Sequence, residues 1–276
     1  MRPVLMRLIA ALVCLPSVAV APPPEKVQAK HAQGEVLSRQ AAVRPGQELL
    51  VGVHFSLEPG WHIYWVNPGD SGQPPAFNWQ LPQGFSAGEI LWPRPERMQS
   101  TAQLADFGYH GDVLLEVPMR VSSSARQGTA AITLEAKWLI CREVCLPDRA
   151  QLQVSLPVGP EARDNPATVG LFAANAKLLP QPFPAKWKAT VQTSQDSLVV
   201  SLETGRTLSQ AGFFPLDPDQ IDNAAPQKIE ATPRGAKITL RKSDLLVKPI
   251  RVLRGVLVLT DGTAYHVEAP VGAGKE

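Results

Sequence analysis

Charge of one sign is what this chain most lacks. Its 27 Lys and Arg stand against 25 Asp and Glu, a formal net charge of +2. Such a balance gives no strong electrostatic hold on nucleic acid or on an anionic membrane surface. Aromatic residues make up only 6% of the chain, and there are 3 Cys in 276 residues, too few for a scaffold held by many disulfides. Long apolar runs are also missing, none approaching the ~20 residues that span a bilayer. Proline, by contrast, is abundant: its 27 residues are roughly twice average usage and favour short strands and turns over long helices. The 44% hydrophobic content supports packed cores and excludes a globally disordered chain. The length suggests about two domains.

The first segment reads as an address. Arg2 and Arg7 precede an apolar stretch, Leu8 to Leu15, followed by small residues around Ala19 and Ala21. This is the layout of a cleaved secretory signal, with the cut expected after Ala19, because Pro22 hinders a cut after Ala21. A membrane anchor would need a longer run. Lipidation at Cys14 would call for a small residue where Val13 stands. Removing residues 1–19 takes away two Arg and no acid, leaving 25 basic against 25 acidic side chains. The mature chain is then expected to be soluble, with no span of its own, and to lie outside the cytoplasm, where cysteines can be oxidised.

Residues 20–31 read as a flexible, Pro-rich lead. Period-2 alternation follows in Leu49–Leu57, Val113–Val121, Ala130–Ile140 and Ala150–Val158, which predicts antiparallel strands buried on one face. Asn165-Pro166 opens a predicted helix, with Val169, Phe172, Ala173, Ala176 and Leu179 on one stripe. Pro180, Pro182 and Pro184 end it. A second strand-rich region runs from Trp187 to Ala269, with Asp261-Gly262 as a hairpin turn. The expected fold is all-β: two immunoglobulin-like sandwiches, residues 32–159 and 185–276, joined by a helical linker over 160–184. The second region has no Cys, and His266 is its one neutral-pH base, so chemistry is expected in the first.

Cys141 and Cys145 are the mature chain's two cysteines, separated by three residues between two predicted strands. A ring this short yields only about 2 kcal/mol as a structural staple in the chain-entropy model, against about 4.7 for a loop of 100 residues. A short ring on a connecting loop is also prone to reduction. Redox activity, a structural bridge and metal binding all remain open at this point. The spacing is not C-x-x-C and no βαβ pattern surrounds it, which excludes a thioredoxin active site. Two thiolates with Met98 or His110 would suit Cu(I). The five His show no zinc-ligand spacing.

Residues 58–79 gather Trp61, Tyr64, Trp65 and Trp79 around a turn-rich Asn67–Gly72. These aromatics fill a core, or His62 and Tyr64 border the cysteine pair. Residues 104–111 read as an inter-strand loop whose aromatics could cover the thiols.

GWHIYWVNPGDSG, LPQGF, ADFGYHGDVLLEVP and WLICREVCLP occur in this order. Together they resemble the amino-terminal periplasmic domain of the DsbD/ScsB group of disulfide reductases, closest to its ScsB-like branch, over residues 32–158. AGFFPLDPDQID and GVLVLTDG look like the additional domain of longer members. The resemblance implies an immunoglobulin-like fold and a thiol relay without a cofactor. Cys145 would form the mixed disulfide and Cys141 would resolve it. Phe107, with Tyr109, would belong to a cap that shields the thiols, and His62 and Tyr64 would lie near the site. The electron donor would be a separate, membrane-embedded protein of DsbD/ScsB type, and the acceptors periplasmic thioredoxin-fold proteins. Two other classes compete with this reading: a non-catalytic binding or chaperone module with a structural disulfide, and a copper-handling protein.

Overall fold

The computed structural model describes residues 26–273. The expected signal peptide, residues 1–19, and residues 20–25 of the expected lead lie outside them.

The first domain is built from β1 (Val27–Ala29), β2 (Ala32–Ser38), β3 (Gln40–Ala42), β4 (Glu48–Leu57), β5 (His62–Gly69), β6 (Ala76–Gln80) and β7 (Phe85–Ala87). It continues with β8 (Glu96–Gln99), β9 (Ala105–His110), β10 (Asp112–Val121), β11 (Gly128–Cys141), β12 (Cys145–Val158) and the short β13 (Arg163–Asp164). One sheet has the order β1-β2-β4-β10-β7, and the facing sheet runs β12-β11-β5-β9-β8 with β6 beside β11. Alternation explains the core. Val51, Val53 and Phe55 from β4 meet Ile132, Leu134 and Trp138 from β11, all buried. Phe55 and Trp138 pack edge to face at 5.0 Å. Odd-numbered residues of β11 are left for the outer face.

Three sequence expectations change here. Residues 26–31 of the expected lead are not flexible coil: Val27–Ala29 pairs with Ala32–Gly34 as a hairpin. The 104–111 segment is a strand, β9, paired on both sides; its glycines hid a strand pattern. The helix α1 covers only Val169–Asn175, with Thr168 before it instead of Asn165. Residues 165–168 form a turn, because the Thr168 hydroxyl donates to the Ser38 carbonyl at 2.6 Å and ties that turn to the sheet. Phe172 then packs on Leu37 and Leu114, burial of a kind that contributes roughly 1.5–3 kcal/mol.

The second domain contains β14 (Lys188–Thr193), β15 (Ser197–Glu203), β16 (Ala211–Pro215), β17 (Lys228–Thr232), β18 (Gly235–Arg241), β19 (Val252–Leu259) and β20 (Ala264–Ala273). Its strand order is β16-β19-β20-β14-β15-β18-β17. β20 pairs antiparallel with β19, then parallel with β14, so one strand links both leaves of the sandwich. The chain is therefore two immunoglobulin-like β-sandwiches with one short helix between them. Among the described residues no helix is long and apolar enough to cross a membrane.

The two domains share packed surface. Phe214 meets Phe107 at 5.3 Å and Trp65 at 6.4 Å, and Val256 and Ala264 join the first core. Asn67 Nδ2 donates to the Pro215 carbonyl at 2.8 Å. Arg97 donates to the carbonyls of Asn223 and Ala224 at 2.8 and 2.7 Å.

Candidate functional site

Cys141 ends β11 and Cys145 begins β12, and the two are direct partners in the ladder. Side chains directly opposite on paired strands point to the same face, with Cβ atoms about 4.5–5.5 Å apart. The tight turn Arg142-Glu143-Val144 thus brings the sulfurs together, and they form a disulfide. Both cysteines sit on strand ends, so the sheet, and not a free loop, holds them in register. Cys141 is 2% exposed, whereas Cys145 is exposed. Val144 at the tip is 61% exposed, so a protein surface can approach Cys145 from the hairpin end.

The ladder extends beyond the pair. His62 on β5 is the direct partner of Cys141, and His110 on β9 is the direct partner of His62. His110, His62, Cys141 and Cys145 therefore form one transverse row across four strands, on the outer face of the sheet. Tyr64, two residues from His62, shares that face. Its hydroxyl lies 3.4 Å from Cys145 Sγ, and because a disulfide sulfur carries no proton, the hydroxyl is the donor. Burial raises the Tyr64 pKa, against a hydrogen bond with Ser71 and with added effect from the Asp106 charge, so Tyr64 stays a donor at neutral pH.

His62 is 7% exposed, and its Nε2 has no hydrogen-bond partner. Burial lowers its pKa, the neighbouring His110 lowers it further, and Asp106 opposes both. The ring is 5.2 Å from Tyr64 and 5.6 Å from His110. His62 is therefore a neutral imidazole beside a buried sulfur.

Tyr64 is covered by the turn after β5. A Cβ on Gly72, at φ +75°, would lie 2.1 Å from Tyr64 Cζ, and one on Gly69, at φ +89°, would lie 2.5 Å from the Ala105 carbonyl oxygen. Only glycine permits this approach. Asp70 accepts from the Ala105 amide at 2.7 Å and from Asn223 of the second domain at 2.8 Å. Asp106, itself buried, accepts from both the amide and the hydroxyl of Ser71 at 2.9 Å. Beside the hairpin lies a cleft of about 600 Å³ whose charged lining is Lys30, Lys137, Arg149 and Asp148.

The structure thus brings His62, Tyr64, Cys141 and Cys145 together. Phe107 and Tyr109 stand on the opposite, core face of β9: Phe107 packs on Trp65 and Phe214, and the buried Tyr109 hydroxyl donates to the Pro93 carbonyl at 2.8 Å. Neither touches the sulfurs from that face; the side chain that reaches Cys145 Sγ is Tyr64, packed under Gly72. Arg142 is held over the Trp61 ring at 5.2 Å, a cation–π contact that anchors the hairpin tip. Sequence reasoning placed His110 at the pair only as a copper ligand, and it missed Asp106 and Gly72 as parts of the site, since the signal for them is register. Among the described residues no group of three or more His, Cys, Asp or Glu is arranged to hold a metal ion.

Residues 32–157 match the family described as thiol:disulfide interchange protein DsbD, N-terminal. No curated protein sequence matches the chain significantly. Among solved structures, the N-terminal periplasmic domain of ScsB from Proteus mirabilis is similar at 18% identity and a TM-score of 0.68. That likeness covers 89% of this chain and 95% of that one, so it extends over both sandwiches. The seventh ScaB type I cohesin from Pseudobacteroides cellulosolvens aligns at 14% identity over 46% of this chain and 93% of its own, with a TM-score of 0.24, too low to add to the fold assignment. Residues 32–157 are a DsbD N-terminal domain of the thiol:disulfide interchange family.

Proposed function

We propose that this protein is a periplasmic electron relay that shuttles between a Cys141–Cys145 disulfide and the dithiol. It would be reduced by a membrane-embedded donor of DsbD/ScsB type and would reduce thioredoxin-fold acceptors. The observation that carries the reading is the unequal exposure of two cysteines in one register pair. In the reduced protein the exposed Cys145 thiolate attacks an acceptor disulfide, forming a Cys145–acceptor mixed disulfide and releasing one acceptor thiolate. Cys141 then attacks the Cys145 sulfur, the second acceptor thiolate leaves, and two electrons have passed. Reloading runs the same steps backwards, with a donor thiolate attacking Cys145. The cleft beside the hairpin offers mainly cationic side chains to the docked partner, Asp148 being the exception.

Equilibration of the mature protein with glutathione or dithiothreitol tests this. A reduction potential above about −270 mV supports a relay, and one well below about −300 mV indicates an inert structural bridge. A Cys141→Ser variant is expected to accumulate adducts with thioredoxin-fold acceptors through Cys145, which a binding module would not form.

A further inference from the structure

The outer-face row raises a question that the exchange steps leave open. Cys141 must lose a proton before it can resolve the mixed disulfide. It is 2% exposed, and burial in low dielectric disfavours a thiolate. At that exposure almost none of its surface is open to solvent. Its direct ladder partner is His62, whose Nε2 is buried and without a hydrogen-bond partner. An unpaired polar atom in such a place costs free energy, and in the oxidised protein the disulfide sulfur has no proton to give it. In the dithiol state, Cys141 S–H becomes a donor on the same face.

We infer that His62 is the proton acceptor for Cys141: its Nε2 takes the Cys141 thiol proton as that sulfur attacks the Cys145 mixed disulfide. This rests on the exchange reading above. The Cys141 S–H bond breaks and N–H forms on His62. The Cys141–Cys145 S–S bond forms, and the bond from Cys145 to the acceptor breaks. The acceptor sulfur leaves with the electron pair as a thiolate. In the reloading direction the donor thiol gives up its proton to solution as its sulfur attacks Cys145. His62 takes up a proton from solution and delivers it to Cys141 as Cys141 becomes the leaving group, which a bare buried thiolate would do poorly.

The groups facing His62 suit the task. From β9, His110 discourages a resident proton and Asp106 opposes it. From its own strand, Tyr64 presents its ring edge to face. From β11 and β12 the titratable groups in the same ladder row are the two cysteines. Arg142 is drawn away over Trp61, and Glu143 is exposed in the turn. His62 is therefore neutral and ready to accept at the pH where exchange would run.

The test is single-turnover reaction of the reduced protein with an aryl disulfide that releases a coloured thiolate. The first equivalent reports attack by Cys145, and the second reports resolution by Cys141. In His62→Gln the first phase is expected to be unchanged and the second slowed roughly 100-fold at neutral pH, the lower end of the range for a lost proton-transfer group. Its pH profile should also change. The unsubstituted protein should reach a plateau above the His62 titration, whereas the variant should go on rising towards the thiol's own ionisation. Equal second-phase rates and profiles overturn the role of His62 and leave the relay intact. Absence of a second equivalent from the unsubstituted protein overturns the exchange reading, and the His62 role with it. A measurement free of substitution guards against misfolding: His62 ring ¹⁵N resonances in the reduced protein should titrate at the midpoint of the second phase. A different midpoint overturns the proposal.

Discussion

At the scale of the residue, Tyr64 links the core to the chemistry. Its ring is pinned by Gly72, and its hydroxyl reaches Cys145 Sγ at 3.4 Å. A donor there stabilises a developing thiolate more than a disulfide sulfur, since hydrogen bonds to charged groups are the stronger ones. Tyr64→Phe should therefore slow attack by Cys145 by up to about tenfold, about 1.4 kcal/mol in the barrier, with little loss of stability. Stopped-flow release of the first thiolate equivalent checks this, and an unchanged rate would remove Tyr64 from the site. His62 was singled out in the sequence because it stands beside Tyr64 in an aromatic cluster. Its neighbours across the sheet were not legible there, because register depends on which strands pair, and the pattern of one strand does not say which strand lies next to it.

At the scale of the element, α1 shows how a short helix is held. Seven residues are too few to form a helix alone, so packing decides. Asn175 donates to Glu116 at 2.8 Å, and Glu116 is 2% exposed. Burial raises the Glu116 pKa, opposed by the Asn175 hydrogen bond and by Arg39. A carboxyl whose folded pKa is raised contributes stability below its unfolded pKa, and that contribution is lost as pH rises through the folded pKa. Glu116→Gln keeps an acceptor and removes the charge. It should match the parent protein in mild acid and exceed it by on the order of 1 kcal/mol at pH 8. Urea midpoints at the two pH values measure the difference, and a gap that closes as pH rises would contradict the assignment. The strands of strong alternation, β4, β10, β11 and the inner part of β12, were legible in sequence because one buried face imposes period 2. β5, β6 and β9 were not, since Gly, Pro and turn residues interrupt them and both faces of β9 are covered.

At the scale of the whole molecule, the second sandwich is a brace for the first. Phe214 packs against Trp65 and Phe107, the inward residues of the two strands that carry His62, Tyr64 and His110. Asn223 holds Asp70 in the turn over Tyr64. Two domains with shared core and buried polar contacts should unfold together, so calorimetry of the oxidised protein should show one transition. Phe214→Ala combined with Asn223→Ala removes an aromatic contact and a hydrogen bond, at a cost of roughly 2–4 kcal/mol. It should divide the unfolding into two transitions. Two transitions already present in the unsubstituted protein would show that the brace is weak.

Alternation, proline content and the few turn signals were enough to determine an all-β chain of two sandwiches, because these properties act over neighbouring residues. The cysteine pair and its close surroundings were likewise marked by local motifs. Only the tertiary structure decided which face each group occupies. β9 turns Phe107 and Tyr109 into the core and leaves His110 outside, and the pairing of β5 with β11 sets His62 beside Cys141. Those choices follow from strand pairing and from which face the core takes, free energies that no single stretch of sequence contains.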